Sequence, residues 1–185
     1  GDVYKRQALN KEVKALADAG CQYIQIDEPV FARKPDEANA YGMENLERMM
    51  HGIPKEVQRV CHICCGYPNS LDSHGYKKAE LDAYDRIATL VDDSTIDEVS
   101  LEDSHRHNDL NLLEKFTKTK VIFGFIDIAK SRMETVEEVR VRMKDSLEHI
   151  DEHRLIAAPD CGLGFFTREQ AIEKMTILTK AAKSI

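Results

Sequence analysis

The sequence has no tryptophan, and aromatic residues make up only 6% of its 185 positions. No apolar run approaches the length of a membrane span and no secretory leader is recognisable, so a cytoplasmic protein with no membrane partner is expected. Positive charge is in deficit: 26 Lys and Arg stand against 33 Asp and Glu, a net charge of -7, which argues against nucleic acid as a partner. A glycine-rich phosphate loop is missing too. Cys161-Gly162-Leu163-Gly164 follows a predicted strand but lacks the third glycine of a dinucleotide fingerprint. There is no initiator methionine, and residues 1–7 do not match the periodicity that follows. They are set aside as a foreign or truncated end, leaving residues 8–185 as one domain with one core.

Five cysteines are present, an odd number. Without a secretory context they read as free thiols and metal ligands rather than a disulfide framework. The central stretch is Arg59-Val60-Cys61-His62-Ile63-Cys64-Cys65-Gly66. As a short buried strand it points His62 and Cys64 to one face, and an imidazole with a thiolate suits zinc. Cys61 and Cys65 fall on the opposite face; Cys21 and Cys65 read as inert thiols.

Strand and helix patterns alternate along the chain. Helical stripes run over Ala8–Ala19 (Leu9, Val13, Leu16, Ala17), through Met43, Leu46, Met49 and Met50, and over Ala79–Val91, Asp109–Phe116 and Thr135–Ile150. Thr167-Arg168-Glu169-Gln170 is a capping box opening a last helix with Ala171, Met175, Leu178 and Ala182 inward. Predicted strands are Cys21–Ile26, the His62 stretch, Glu98–Leu101, Val121–Ile126 and Leu155–Ala158. Such alternation implies a parallel α/β sheet, either open or part of a (β/α)8 TIM barrel. Asp27, His62, Cys64, Glu102 and Cys161 all fall at or just beyond strand C-termini, where barrel enzymes place their chemistry. Convergence from several strands onto one ion favours the barrel, with Glu102 as a third ligand and Cys161 as a fourth.

Plainer readings stand beside these. His62 and Cys64 could be a core pair, Glu102-Asp103 solvated acids or helix caps, and Asp27-Glu28-Pro29 a turn. Asp160 is either a turn residue or support for a site. His105, Arg106 and His107 look like a second metal motif but are expected on a surface loop.

The motifs Ile26-Asp27-Glu28-Pro29, His62-Ile63-Cys64, Ser100-Leu101-Glu102 and Pro159-Asp160-Cys161-Gly162-Leu163, in this order, resemble the catalytic barrel of the cobalamin-independent methionine synthase family, a methionine synthase/uroporphyrinogen decarboxylase-like fold. The resemblance implies catalytic zinc held by His62, Cys64, Glu102 and Cys161. It makes Asp27 the holder of the homocysteine amino group. An incoming thiol is expected either to displace one ligand, with Glu102 a candidate, or to expand the coordination. The implied reaction is methyl transfer from a methyltetrahydrofolate-type donor to homocysteine, giving methionine. Two positions depart from the folate-dependent pattern: Arg33 stands where a Glu is usual, and Ala129 where a His proton donor is usual. Other zinc-dependent thiol alkyltransferases, including coenzyme M transferases, are therefore alternative relatives, and a non-catalytic barrel fragment is a third reading. About five strands are legible where a closed barrel has eight, so the chain is expected to be the C-terminal part of a longer protein.

Overall fold

A computed structural model describes residues 2–185 other than His74, with side chains from Tyr4 onward. Its centre is a five-stranded, all-parallel sheet in the order β1-β2-β3-β4-β5. The strands are β1 (Tyr23–Asp27), β2 (Gln58–Ile63), β3 (Glu98–Leu101), β4 (Lys120–Ile126) and β5 (Leu155–Pro159). Among the described residues, seven α-helical segments accompany them: α1 (Asp2–Asp18), α2 (Pro35–Glu37), α3 (Met43–Met49), α4 (Ala83–Asp93), α5 (Asn111–Glu114), α6 (Val136–Leu147) and α7 (Arg168–Ala182). Sequential strand order with a helix after every strand is the repeating unit of a TIM barrel. No described helix is long and apolar enough to cross a membrane.

The core lies between the helices and one sheet face. Cys61, Ile63, Val99, Leu101, Val121 and Phe123 alternate onto that face and pack against Leu46, Ile87, Leu113 and Phe116. The other face carries His62 and Ser100, opposite each other in register. Met43, Leu46, Met49 and Met50 are all buried, as their spacing predicts. The capping box expected at Thr167 is formed with Gln170 on α7, and a second one, of Thr135 with Glu138, opens α6.

The outermost helices depart from expectation. α1 begins at Asp2 rather than Ala8, and only Val13 of its stripe is fully buried; Leu9 and Leu16 are 48% and 46% exposed. On α7 the buried residues are Lys174, Leu178 and Ala181, while Met175 is largely exposed. A lysine displaces the methionine because its ammonium has acceptors there. Lys174 Nζ donates to Glu134 Oε2 (3.0 Å) and to the carbonyls of Asp127 and Arg132 (3.0 Å each). An apolar side chain would leave those acceptors, and the Glu134 charge, without a partner. β1 and β5 each pair on one side only.

At the N-terminal end of the sheet, Asp92 near the end of α4 ties down the turn into β4. It accepts from Thr117 N (3.0 Å), Thr117 Oγ1 (2.7 Å), Lys118 N (3.2 Å) and Thr119 N (2.9 Å). Burial alone would raise its pKa, but these donors hold the carboxyl far below the usual range.

Candidate metal centre

The C-terminal ends of β2, β3 and β5 bring four side chains together. One donor atom each from His62, Cys64, Glu102 and Cys161 lies within 4.8 Å of every other. β2 ends at Ile63, so its pleat points His62 away from the helices and delivers Cys64 at the rim. In the neighbouring strand Ser100 sits opposite His62, and its Oγ is 2.8 Å from His62 Nδ1. That bond occupies one ring nitrogen and turns the other, Nε2, toward Glu102 Oε1 at 3.8 Å.

Tyr84 on α4 fixes the relative height of the two strand ends. Its buried hydroxyl donates to Ile63 O (2.7 Å) and accepts from Glu102 N (3.3 Å). The Cys161 loop is closed over the site by Tyr67, whose hydroxyl donates to Gly162 O (3.1 Å) and whose ring lies 5.2 Å from that of Phe165. Neither tyrosine carries a sequence signature; each is an isolated aromatic whose contact is long-range.

Two atoms in the cluster have unmet polarity. His62 Nε2 and Glu102 Oε1 are buried without a hydrogen-bond partner among the described residues. Orphaned buried polar atoms are rare and costly. Here the two lie 3.8 Å apart within the four-donor cluster, which suits a cation. Burial and the negative charge of Cys64 push the Glu102 carboxyl up to about 8. The hydrogen bond to Cys161, with burial, pushes the Cys64 thiol up to about 12, and the same bond lowers the Cys161 thiol. Burial works to lower His62, but the neighbouring Cys64 and the Glu102 charge prevail and raise it. Four lone-pair donors packed this closely must hold protons unless a cation replaces them. One imidazole, two thiols and a carboxylate form a set that fits zinc.

Asp27 ends β1 opposite His62 in register. Its carboxylate is exposed and accepts from Gln25 Nε2 (2.8 Å). It stands close enough to act electrostatically on both His62 and Cys161 without belonging to the four-atom cluster. Arg33 is exposed beyond this strand, and Ala129 is buried in the loop after β4.

Several secondary expectations are corrected. Cys65 is not an idle thiol on the far face. The strand has ended before it, so alternation no longer applies, and its Sγ lies 3.0 Å from Glu102 Oε2 and 3.0 Å from His105 Nε2. The His105 side chain is buried rather than on a surface loop, whereas His107 is exposed. Asp103 is no solvated acid: fully buried, it pairs with Arg142 Nε at 2.8 Å and accepts from Asn108 N at 2.7 Å. Asp160 holds the segment that follows Glu102, accepting from the backbone N–H groups of Asp103, Ser104 and His105 and engaging the His105 ring, all at 2.8 Å. Gly124 makes this approach possible. A Cβ there would sit 2.1 Å from Asp160 Oδ1.

With this geometry in view, relatives become informative. Residues 5–184 match the cobalamin-independent synthase, catalytic domain, family. The chain belongs to that family. It is 32% identical over 178 residues to a methionine synthase of Thermococcus kodakarensis and 30% to one of Pyrococcus abyssi, covering 96% of this chain and 47% of each relative. Among solved structures, a B12-independent methionine synthase from Shewanella sp. W3-18-1, in complex with selenomethionine, superposes with a TM-score of 0.83 at 32% identity. That match covers 95% of this chain and 52% of the other. A methyltransferase from Methanosarcina mazei shares the fold at a TM-score of 0.66 and 17% identity. The chain thus spans about half the length of the relatives it matches.

Proposed function

We propose that this chain carries the zinc-binding, thiol-activating part of an S-methyltransferase of methionine synthase type, with His62, Cys64, Glu102 and Cys161 as the metal ligands. The observation that carries the reading is the convergence of these four donors, two of them orphaned, at strand ends. Bound there, zinc would convert an incoming thiol to a thiolate and hold it as a nucleophile, since the neutral thiol is a weak one.

The chain's own residues do the rest. Ser100 keeps the His62 ring turned so that Nε2 faces the ion. Cys64 and Cys161, as two thiolates with an ionised Glu102, would give the ligand set more negative charge than zinc carries, so a substrate sulfur is held loosely and stays nucleophilic. Of the residues that would hold the ion, Glu102 would be the most readily exchanged, since its other oxygen has Cys65 as a standing partner. Asp27 presents an exposed carboxylate beside the cluster, placed to hold the ammonium group of homocysteine. The substrate sulfur then attacks the methyl carbon, the methyl–nitrogen bond of a methyltetrahydrofolate-type donor breaks, and the donor nitrogen takes a proton. Ala129 has no proton to give, so that proton comes from another group or from water.

Metal analysis of the purified protein tests the centre. About one tightly held zinc is expected, and Cys64→Ser and Cys161→Ser should each abolish that tight binding; its retention in both variants would sink the assignment. Asp27→Asn tests the acceptor in an active form of the protein. Loss of a charge-assisted hydrogen bond should raise the KM for homocysteine by about ten- to a hundredfold, with zinc content unchanged. If an amine-free thiol such as coenzyme M is used equally well and the substitution changes nothing, homocysteine is not the acceptor.

A further inference from the structure

On the far side of Glu102 from His62, a second group of donor atoms converges. Cys65 Sγ, Glu102 Oε2 and His105 Nε2 meet, with the sulfur 3.0 Å from each of the other two. All three side chains are buried. The sulfur thus faces both a carboxylate oxygen and a ring nitrogen, each an atom that can ligate a metal. His105 Nδ1 is engaged by the Asp160 carboxylate at 2.8 Å, and that carboxylate is itself pinned by three backbone N–H groups. A carboxylate behind a histidine, presenting its other nitrogen to a thiol and a carboxylate, is the arrangement that orients imidazole for a metal.

The surroundings add an independent sign of a ligand. A cavity of about 330 Å³, lined by Tyr76, Lys78, Asp127, Ala129 and Lys130 among others, reaches the trio at His105. The Tyr76 ring lies 6.5 Å from that of His105, and its hydroxyl is buried without a hydrogen-bond partner among the described residues. The hydroxyl therefore waits for something that occupies the space between them.

We infer that Cys65, Glu102 and His105 form a second site for a divalent, thiolate-accepting metal ion such as zinc, bridged to the first site through the two oxygens of Glu102. Three protein ligands leave a fourth position toward the cavity, where a water or substrate oxygen can accept from or donate to Tyr76. Binding displaces the Cys65 thiol proton to solvent, as thiolate ligation requires. The cations nearby oppose the ion: Lys78 donates to His105 O at 3.1 Å, and Arg106 acts electrostatically on Cys65. The second site is therefore the weaker and fills after the first. It rests on the proposed first site only through the shared Glu102.

Titration of the metal-free protein with zinc, repeated with cobalt(II) to read sulfur-to-metal charge-transfer bands, tests the inference. The wild type should bind about two equivalents in two affinity classes. Cys65→Ala and His105→Gln should each lose the weaker class and keep the stronger. His105→Gln retains a donor toward Asp160, which guards against a folding defect being read as a lost ligand. A single equivalent that survives Cys65→Ala, or two equivalents that survive both substitutions, overturns the second site. A single equivalent lost in Cys65→Ala but kept in Cys64→Ser would support this site and overturn the first instead.

Discussion

Asp92, near the end of α4, and Glu102, just past β3, are both buried carboxylates, but their surroundings are opposite. Asp92 collects four donors from the turn 117–119, and its ionised form is favoured despite burial. Glu102 has one weak thiol donor on Oε2 and nothing among the described residues on Oε1, so burial prevails and its acid form is favoured up to about 8. The first acid serves the fold. The second is costly to the fold unless a cation arrives, and strand C-termini are where α/β barrels place such groups. The contrast separates stability from chemistry along the same sheet.

The contrast is broken with the greatest loss of stability at Asp92. Asp92→Ala leaves the turn into β4 without its acceptor and should lower unfolding free energy by about 3 kcal/mol, read by urea denaturation. Its contribution is also pH-dependent. Because its folded pKa lies below the unfolded value of about 3.9, the stabilisation is fully present above that pH and is lost progressively below it, as the pH falls through the folded value. Asp92→Ala should therefore flatten the acid limb of the stability curve; an unchanged acid limb would show that the network is not ionic.

Glu102 should give the reverse slope. Its folded pKa of about 8 exceeds the ordinary value near 4.3. The folded, metal-free protein thus holds a proton that the unfolded chain releases, and stability should fall as pH rises from about 4.5 through about 8. Glu102→Gln, which cannot ionise, should remove that decline, an amount on the order of 5 kcal/mol at pH 8.5, measured on protein stripped of metal. In metal-loaded protein the decline should be absent in the wild type, since a ligated carboxylate no longer needs its proton. If metal-free wild type and Glu102→Gln show the same pH dependence, Glu102 is not held in the acid form.

Ser100→Ala probes the contrast with a smaller effect. The fold has no evident need of this hydroxyl beyond its bond to His62 Nδ1. Losing it should weaken metal binding about ten- to a hundredfold, as for other partners behind a metal-bound histidine, and leave thermal unfolding of the metal-free form nearly unchanged. A competition assay against a chelator reads the first quantity. A large drop in metal-free stability with unaltered affinity would place Ser100 with Asp92 rather than with Glu102.

How far the sequence could be read depended on the range of the interaction concerned. His62 and Cys64 were legible as a pair because two-residue spacing on a strand is a local rule. Glu102 and Cys161 were legible through their places at predicted strand ends, and with the resemblance they completed the set that the structure brings together. Cys65 was misread because alternation was extended past Ile63, where the strand stops. His105 was misread because His-Arg-His looks solvated until Asp160, 55 residues away, draws it inside. Tyr84, Tyr67 and Lys174 gave no signal at all. Each acts by one hydrogen-bonding group on a segment distant in the chain, and no periodicity or motif encodes such a bond.

The alternation of apolar periods, the capping boxes at Thr135 and Thr167, and the polar residues ending each strand pattern were determined by the sequence itself. These are local matters: side-chain spacing fixes which face is buried, and a capping residue fixes where a helix begins. Only tertiary structure decided which ends meet and how each carboxylate is treated. The sheet order sets Ser100 beside His62, Tyr84 levels β2 against β3, and Gly124 leaves room for Asp160. The same functional group becomes a bound anion at Asp92 and a favoured acid at Glu102 because ionisation responds to burial and to donors supplied by other parts of the chain, and those exist only once the chain is folded.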